Sequence, residues 1–194
     1  KHAAESGALA LTCHSTGNFS KANFGGNPKQ VSVPHPYLQK EYLQTLWKNK
    51  SKFSDFQITI EATHHGPTAL TKPVLFIEIG TTEKQWTNVS LCNSVAILVH
   101  SVMTKNIKSS PVAICFGGTH YPEKFTKELL EGTYALGTVI PKHSLDNVDE
   151  DLFLHILEQN KMAKAVLLDW RGLGSNKQKL IDFISNTKLE VIKL

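Results

Sequence analysis

Two spacings of hydrophobic residues alternate along this chain, and each predicts a different kind of element. Apolar runs with the length and composition of β-strands cover residues 8–13, 57–62, 73–79, 112–116, 134–140, 166–168 and 189–192. Apolar residues repeat every three or four positions, as in amphipathic helices, over residues 38–47, 82–102, 122–130, 149–159 and 175–184. Because strands alternate with helices, the pattern predicts an α/β sandwich built on a largely parallel sheet.

One connection is too short for that simple plan. Residues 63–72 offer only about ten positions between two predicted strands, whereas a crossover between parallel strands needs a dozen or more. We therefore expect strands 57–62 and 73–79 to be antiparallel neighbours, which makes the sheet mixed. The second of these strands is almost continuously apolar, which is typical of a strand covered on both faces.

Three local signals refine the predicted elements. Residues 19–36 are rich in glycine, asparagine and proline and predict a long loop. Thr82 and Gln85 have the spacing of a capping box, which would open one helix running through Val102. Gly137 is expected to break the strand at 134–140.

The length and composition of the chain fit one domain. With 194 residues, 41% hydrophobic and 20% charged, residues 1–194 are expected to form a single domain. No apolar run approaches the ~20 residues of a membrane span and no signal peptide is recognisable, so we predict a monomeric cytoplasmic protein without membrane contact. Because the chain starts at Lys1 and reaches its first strand almost at once, we also expect an N-terminal part of the native protein to be missing.

Cysteine usage and charge argue against some functions. Cys13, Cys92 and Cys115 are odd in number and lie in apolar surroundings, so they predict reduced core residues and argue against a catalytic thiol. The net charge of +4 comes almost wholly from lysine, with Arg171 as the sole arginine. Lysine contacts phosphate as a point charge, so a nucleic acid would be held by its backbone and shape, with few base edges read. We expect no DNA partner. A solvated, lysine-rich surface is the simpler interpretation of the charge alone.

Candidate catalytic residues follow the predicted strands. In open α/β sheets, ligands bind beyond the carboxyl ends of the strands. The residues found there include four histidines and two acids: His14, Glu61, His64, His65, His120 and Asp169. Histidine and carboxylate are the usual ligands of a catalytic zinc that keeps one position open for water. The combination therefore predicts a zinc site, although no closely spaced motif such as HExxH supports it.

Simpler interpretations exist for four of these residues. His64 and His65 could form a structural turn, His120 could orient the glycines that precede it, and Glu61 could pair with a lysine. Glu78 has no simple explanation, because a carboxylate within an apolar strand needs a partner. If the strands of Glu61 and Glu78 were adjacent and antiparallel, the two acids could not stand at one sheet edge.

The glycine pair at Gly117 and Gly118 predicts an anion site. Glycines let the backbone approach a ligand closely, and N–H groups ahead of a helix bind phosphate or an oxyanion. Pro122 suits the first turn of the helix that follows.

Several segments together resemble the D-aminoacyl-tRNA deacylase family of the archaeal and plant type. They are residues 62–68 (ATHHGPT), 76–83 (FIEIGTTE) with Trp86, 117–122 (GGTHYP) with Lys124 and Phe125, 2–6 (HAAES), 11–14 (LTCH), 16–18 (TGN) and 168–173 (LDWRGL). The match follows the family's order over almost the whole chain, and HHGP and GGTHY are its most specific parts.

The resemblance implies a zinc-dependent hydrolase that cleaves the ester between a D-amino acid and the 3′ end of tRNA. It also implies a phosphorylase/hydrolase-like, three-layer α/β/α fold. We assign catalytic roles to Glu61, Glu78 and His64. We assign zinc ligation to His14, His65 and His120. Binding of the tRNA 3′ end is expected at Gly117, Gly118, Thr119 and Lys124.

One position departs from the family's pattern. Where relatives read Gly-His-Ile before Pro-Lys-Tyr, this chain has Thr138 in place of the histidine and His143 in place of the tyrosine. If the family's histidine acts in catalysis, His143 must replace it here. Two other functions therefore stay open: a tRNA-end binding module without catalysis, which Thr138 favours, and a zinc exopeptidase or amidase of the same fold class.

Overall fold

A computed structural model describes residues 9–194, so the expectations at residues 1–8, including the 2–6 motif and the start of the first strand, lie outside the described residues. The strands are β1 (Ala10–His14), β2 (Gly17–Asn18), β3 (Gln30–Val31), β4 (Gln57–Ile60), β5 (Phe76–Gly80), β6 (Val112–Phe116), β7 (Ala135–Ile140), β8 (Ala163–Leu168) and β9 (Glu190–Lys193). The helices are α1 (Pro36–Lys48), α2 (Glu83–Trp86), α3 (Val89–Met103), α4 (Glu123–Glu131), α5 (Glu150–Gln159) and α6 (Lys177–Ser185). None of the helices in this part of the chain is both long and apolar enough to cross a membrane.

The strands form two main sheets. In the first, β6 lies between β7 and β8, and β8 pairs with β9, all in parallel. In the second, β1 lies between β4, which runs parallel to it, and β5, which runs antiparallel. A small antiparallel ribbon joins β2 to β3, so part of the predicted loop is strand. The mixed, mostly parallel α/β architecture is confirmed.

The expected pairing of strands 57–62 and 73–79 is wrong, because β1 separates them. Neighbouring strands lie about 4.8 Å apart, so a strand two places away is about 10 Å distant. An extended chain covers about 3.3 Å per residue, so the link after β4 is long enough to pass one intervening strand. A short link therefore excludes a helical crossover, but it does not require direct pairing.

Helices cover both faces of the four-stranded sheet, which gives the predicted three layers. In β6, Ala113 and Cys115 point into a core shared with α1, α3 and α4. Ile114 and Phe116 point into a second core shared with α5 and α6. Because both faces of β6 are buried, its sequence is continuously apolar.

The three-stranded sheet has one apolar and one polar face. Its register places one set of alternate residues in the first core: Leu11, Cys13, Ile58, Ile60, Ile77 and Ile79. The other set lies on the opposite face: Thr12, His14, Thr59, Glu61, Phe76 and Glu78. The expectation that strand 73–79 is covered on both faces is therefore wrong. Among the described residues β5 pairs only with β1 and is half-buried, and Glu78 lies on the polar face.

Two local expectations also need correction. α2 and α3 are separate helices, because the side chain of Asn88 caps the N-terminus of α3 just after the short helix that the capping box of Thr82 and Gln85 opens. Gly137 does not end β7, but it lies at an irregularity, because the pairing with β6 shifts register between Leu136 and Val139. It stays within the strand, where a Cβ atom would lie 2.0 Å from Oδ1 of Asn160.

The cysteines lie in the core or at its margin. Cys13 and Cys115 are fully buried free thiols, and burial raises the pKa of both. Cys92 is a free, partly buried thiol on α3. Because a protonated, buried thiol is a poor nucleophile, the structure offers no support for catalysis by Cys13 or Cys115.

Candidate active site

Six of the predicted site residues meet on the polar face of the three-stranded sheet. They come from the end of β1, from the segment that follows β4, from β5 and from the loop after β6. Their rings and carboxylates are in mutual contact, with ring centroids of neighbouring histidines 4.2–5.0 Å apart. We name this group the His–Glu cluster: His14, Glu61, His64, His65, Glu78 and His120.

Strand register explains how Glu61 and Glu78 reach one site. β4 runs parallel to β1 and brings Glu61 to the carboxyl end of β1. Antiparallel β5 enters at that same end, with Phe76 opposite His14 and Glu78 opposite Thr12. Because β1 lies between the two acids, they approach His14 from both sides. The ligand atoms of His14, Glu61 and Glu78 lie within 4.8 Å of one another.

The backbone at His65 turns so that two consecutive histidines serve one site. Successive side chains of an extended chain point in opposite directions. His65 has a φ of 42°, in the left-handed region that residues with a Cβ atom rarely adopt. Gly17 N–H donates to the His65 carbonyl at 2.7 Å and holds this turn. Backbone strain of this kind costs about 1–3 kcal/mol and is concentrated at functional sites.

Three histidines are oriented by the same kind of hydrogen bond. Nδ1 of His14 and Nδ1 of His65 lie 2.9 and 2.6 Å from the carbonyl oxygen of the residue that follows each. Nδ1 of His64 lies 2.8 Å from the carbonyl oxygen of Ala62. In a neutral imidazole, the nitrogen that donates to a carbonyl carries the proton, so Nε2 keeps its lone pair and faces the cluster. Metal-binding imidazoles in proteins are oriented in this way.

Glu61 is buried and contacts both sides of the cluster. Its side chain is 4% exposed, Oε1 accepts a hydrogen bond from Thr12 Oγ1 at 2.6 Å, and Oε2 lies 2.9 Å from His120 Nε2. Burial opposes ionisation, but the contacts with His120 and Thr12 outweigh it and lower the pKa of Glu61. Burial and repulsion from His14 lower the pKa of His64 to about 3, so this imidazole is neutral at pH 7.

Glu78 is the more accessible of the two acids. Its side chain is 18% exposed and lines a concavity that opens to solvent. Oε1 lies 3.2 Å from His14 Nε2 and 3.8 Å from His65 Nε2. The contact with Glu78 outweighs partial burial and raises the pKa of His65.

The cluster has the donor atoms and the spacing that a zinc ion requires. Three groups each place their ligand atoms within 4.8 Å of one another: His14, His64 and His65; Glu61, His64 and His120; His14, Glu61 and Glu78. Zinc binds nitrogen and oxygen at about 2.0–2.2 Å in tetrahedral geometry, so two of its ligands are about 3–4 Å apart. The residues present therefore fit a metal ion held by imidazole and carboxylate.

The predicted tRNA-binding residues lie beside the cluster, not within it. Gly118, Thr119 and Lys124 line a separate concavity of about 330 Å³, which we name the glycine-turn concavity. Gly117 precedes it with a φ of 105°. Asp169, which the strand-end argument placed with the histidines, lies here and accepts a hydrogen bond from Lys124 at 2.7 Å. The concavity lies between the ends of β6 and β8, where the strand order reverses and α/β folds bind ligands.

The hydrogen bonds described for Thr138 join it to Asn160 and not to the His–Glu cluster. Its side chain is fully buried, and Oγ1 accepts a hydrogen bond from Asn160 Nδ2 at 2.8 Å. Burial and repulsion from His120 lower the pKa of His143. The six histidines and acids converge without any contribution from position 138.

Sequence reasoning missed the residues that support the cluster. The Thr12 hydroxyl holds Glu61, and the Ser15 and Thr63 hydroxyls share a hydrogen bond of 2.7 Å beside the histidines. A signal existed for Thr12, because it lies two residues before His14 in a strand and must share its face. Ser15 and Thr63 lie in irregular backbone, where no periodicity indicates direction.

The chain is similar to one family over nearly its whole length. The family model described as D-aminoacyl-tRNA deacylase matches residues 1–192. A D-aminoacyl-tRNA deacylase of Cenarchaeum symbiosum is 54% identical over 192 residues, 99% of this chain and 74% of that protein. Another, of Methanocaldococcus jannaschii, is 35% identical over 202 residues, 98% of this chain and 78% of that protein. The crystal structure of a conserved protein of unknown function, AF0625, has a TM-score of 0.93 and 28% identity, and the match covers 100% of this chain and 68% of that one.

Proposed function

The chain belongs to the D-aminoacyl-tRNA deacylase family, and we propose that its His–Glu cluster hydrolyses the ester bond of D-aminoacyl-tRNA with the help of zinc. The products are a free D-amino acid and tRNA. One observation carries the proposal: four imidazoles and two carboxylates converge on one face of a sheet, and three of the imidazoles are oriented through Nδ1. Such a convergence of costly buried polar groups is typical of a catalytic metal site.

Zinc ligation is assigned to the histidines of the cluster. We retain His14, His65 and His120 as candidate ligands and add His64. His14, His64 and His65 form one three-ligand group, which would leave the fourth position on zinc to water, and His64 and His120 form another with Glu61. When bound, zinc lowers the pKa of a coordinated water toward ~7 and polarises an ester carbonyl. Glu61 Oε2 lies 3.5 Å from Nε2 of His64 and 2.9 Å from Nε2 of His120, so its carboxylate would hold zinc together with these two nitrogens.

Proton transfer is assigned to Glu78. Its carboxylate lines an open concavity, so water can reach it. Glu78 accepts a proton from the attacking water as the water oxygen bonds to the ester carbonyl carbon. It returns that proton to the ribose oxygen when the ester bond breaks, so one water is consumed and the enzyme is restored. Glu61 is less suited to this step, because it is buried, Oε1 accepts a hydrogen bond from Thr12 and Oε2 lies against His120 at 2.9 Å.

The glycine-turn concavity is assigned to the 3′ end of tRNA. Lys124 and Lys142 supply positive charge, and Gly118 and Thr119 let phosphate approach the backbone. Asp169 neutralises part of the Lys124 charge, so phosphate must compete with that carboxylate. The monomeric state, the single domain at 1–194, the cytoplasmic location and the lack of DNA binding belong to the same proposal.

Metal content and stereoselective deacylation test the catalytic assignment. We expect zinc in at least stoichiometric amount, and hydrolysis of D-tyrosyl-tRNA that a chelator abolishes and added zinc restores. Glu78→Gln should lower kcat by about 10²–10⁴ while the zinc content is kept. Glu83→Gln, at an exposed acid on nearby α2, is the matched control and should change neither kcat nor the zinc content.

Three outcomes would contradict this assignment. Equal rates on D- and L-tyrosyl-tRNA would refute the substrate, and activity that survives chelation would refute the metal. Turnover of peptides without turnover of aminoacyl-tRNA would favour the zinc exopeptidase. Zinc-free protein that binds tRNA without cleaving it would favour the binding module.

The tRNA assignment has its own test. Lys124→Ala should raise KM for D-tyrosyl-tRNA and weaken the binding of uncharged tRNA, because a cation is removed from the concavity. Lys127→Ala is the matched control, since Lys127 lies on the same helix but is exposed to solvent away from the concavity. Equal effects of the two variants would refute a specific role for Lys124.

A further inference from the structure

Two concavities of different chemistry border the His–Glu cluster. The glycine-turn concavity adjoins His120 and carries Lys124 and Lys142. A larger concavity, of about 550 Å³, adjoins His65 and Glu78. We name it the aromatic concavity, because its wall consists mainly of Phe24, Phe76, Ile79 and Trp86.

The aromatic wall is held in place by close packing of the backbone. Phe24 is 79% exposed, although its loop is fixed. Gly66 packs so closely on that loop that a Cβ atom would lie 2.4 Å from the backbone nitrogen of Gly26, and its N–H donates to the Phe24 carbonyl at 3.3 Å. Trp86 lies on α2, whose N-terminus is fixed by a capping box. An exposed aromatic ring on fixed backbone is preorganised to contact a ligand.

Phe76 connects this concavity to the reacting centre. Its ring centroid lies 5.0 Å from that of His65 and 5.6 Å from that of His14. Glu78, on the same face of β5, lines the concavity and contacts His14. A group bound against Phe76 therefore ends beside the side chains to which we assign catalysis.

The two ends of the ester substrate differ in chemistry in the same way as the two concavities. The tRNA end is anionic. Among the described residues, lysines line the glycine-turn concavity but not the aromatic concavity. The aminoacyl end carries a side chain and, when unmodified, an α-ammonium group. Apolar rings with one carboxylate suit that end. The volume of 550 Å³ falls within the roughly 300–1,000 Å³ of small-ligand sites.

We propose that the aromatic concavity binds the aminoacyl group, with the D-amino-acid side chain packed among Phe24, Phe76 and Trp86. This inference rests on the proposed function and adds its substrate preference. D-Aminoacyl groups with large apolar or aromatic side chains are favoured over D-alanyl, because only the larger side chains reach the aromatic wall. Specificity between large side chains is low, because the wall offers rings and few directional polar groups.

Two substrates and two exposed aromatic residues provide the test. Phe24→Ala should raise KM for D-phenylalanyl-tRNA roughly tenfold and change KM for D-alanyl-tRNA by less than about twofold, with kcat unchanged for both. The KM of Phe24→Leu for D-phenylalanyl-tRNA should lie between the values of the wild type and of Phe24→Ala. Trp47→Ala is the control, because Trp47 is another exposed aromatic residue but lies at the end of α1, outside the aromatic concavity. Since Phe24 is exposed, its substitution should leave the fold intact.

Inhibition by uncharged tRNA shows whether the aromatic concavity binds the aminoacyl group or the terminal adenosine, because uncharged tRNA carries only the adenosine. Phe24→Ala should leave its inhibition constant unchanged. If the variant weakens inhibition and raises KM equally for both substrates, the aromatic concavity stacks the adenine base and the inference is wrong. Equal wild-type KM values for the two substrates would also overturn it while leaving the deacylase function intact. A wild-type enzyme that cleaves neither substrate would refute the proposed function itself.

Discussion

Replacing Thr12 by valine isolates the hydrogen bond that holds Glu61. Thr12 Oγ1 donates to Glu61 Oε1 at 2.6 Å, and the two residues are 2% and 4% exposed. Valine keeps the β-branched shape and removes the hydroxyl, so the buried carboxylate loses a donor while its cavity stays filled. Hydrogen bonds to charged groups contribute about 1.5–3 kcal/mol. We expect the metal-free variant to lose about that much free energy of unfolding at pH 7.

The pH dependence of this loss follows from the pKa of Glu61. In the folded protein the pKa lies below the ordinary value of 4.5. Its ionised form therefore stabilises the fold above pH 4.5, and that contribution is lost as the pH falls through the folded-state pKa. Thr12→Val raises the pKa of Glu61, because the hydroxyl is one of the contacts that lower it. The difference in free energy of unfolding between the wild type and Thr12→Val should have its full value at pH 7 and should shrink below pH 4.5.

Urea unfolding of metal-free protein, followed by tryptophan fluorescence at pH 7 and at pH 4, measures this difference. Thr45→Val is the matched control, because Thr45 is also buried but its hydroxyl donates a long hydrogen bond of 3.4 Å to the partly exposed Glu41. Zinc affinity should fall about 10–100-fold in Thr12→Val, as it does when outer partners of metal ligands are removed. The reasoning would be refuted if Thr12→Val lost no more free energy of unfolding at pH 7 than Thr45→Val, or if its loss grew on acidification.

Three further predictions concern the backbone and a second histidine. Gly137→Ala should destabilise the protein by about 1–3 kcal/mol in urea unfolding, since its Cβ would meet Asn160 Oδ1 at 2.0 Å; wild-type stability would contradict the packing described. His65→Gly should be more stable than His65→Ala by about 1 kcal/mol in thermal unfolding, because glycine accepts the φ of 42° without strain; the reverse order would exclude that strain. Between pH 6.5 and about 3, His64 is protonated in the unfolded chain but neutral in the folded protein. The free energy of unfolding of the metal-free protein should therefore fall by up to about 1.4 kcal/mol per pH unit on acidification. His64→Gln should flatten that slope, and an unchanged slope would assign it to other groups.

Local rules were sufficient to place most of the candidate site. His14, Glu61 and His120 could be brought together from the sequence, because each follows a strand and strand ends meet at one edge. The helices could be placed from their apolar periodicity. Even the division of the 82–102 helix had a local signal, since Asn88 is a good N-cap residue followed by an apolar run.

Strand pairing could not be derived in this way. The apolar and polar alternation of β4 and β5 is compatible with direct pairing and with a strand between them. Only the long-range register, with β1 in the middle, shows that Glu78 and Glu61 flank His14. β1 ends at residue 14 and β4 begins at residue 57, more than 40 residues later, and sequence periodicity carries no information over that distance.

The aromatic concavity was invisible to sequence reasoning for a related reason. Phe24 lies in a glycine-rich loop and Trp86 at the end of a four-residue helix. Neither position belongs to a periodic pattern that predicts a direction. Their proximity depends on the close approach of Gly66 to the 24–26 loop, which is a property of the folded backbone.

The different surroundings of the two acids explain why one cluster can both hold a metal and transfer a proton. Glu61 contacts Thr12 through one oxygen and His120 through the other, so its charge is fixed and its basicity is low. Glu78 enters on the opposite side of β1, on a half-buried strand beside open space, and can exchange protons with solvent. The two carboxylates are close enough to repel, and repulsion from Glu78 opposes the lowering of the Glu61 pKa. Because each acid contacts a different pair of rings, the polar face can carry both of them at one site.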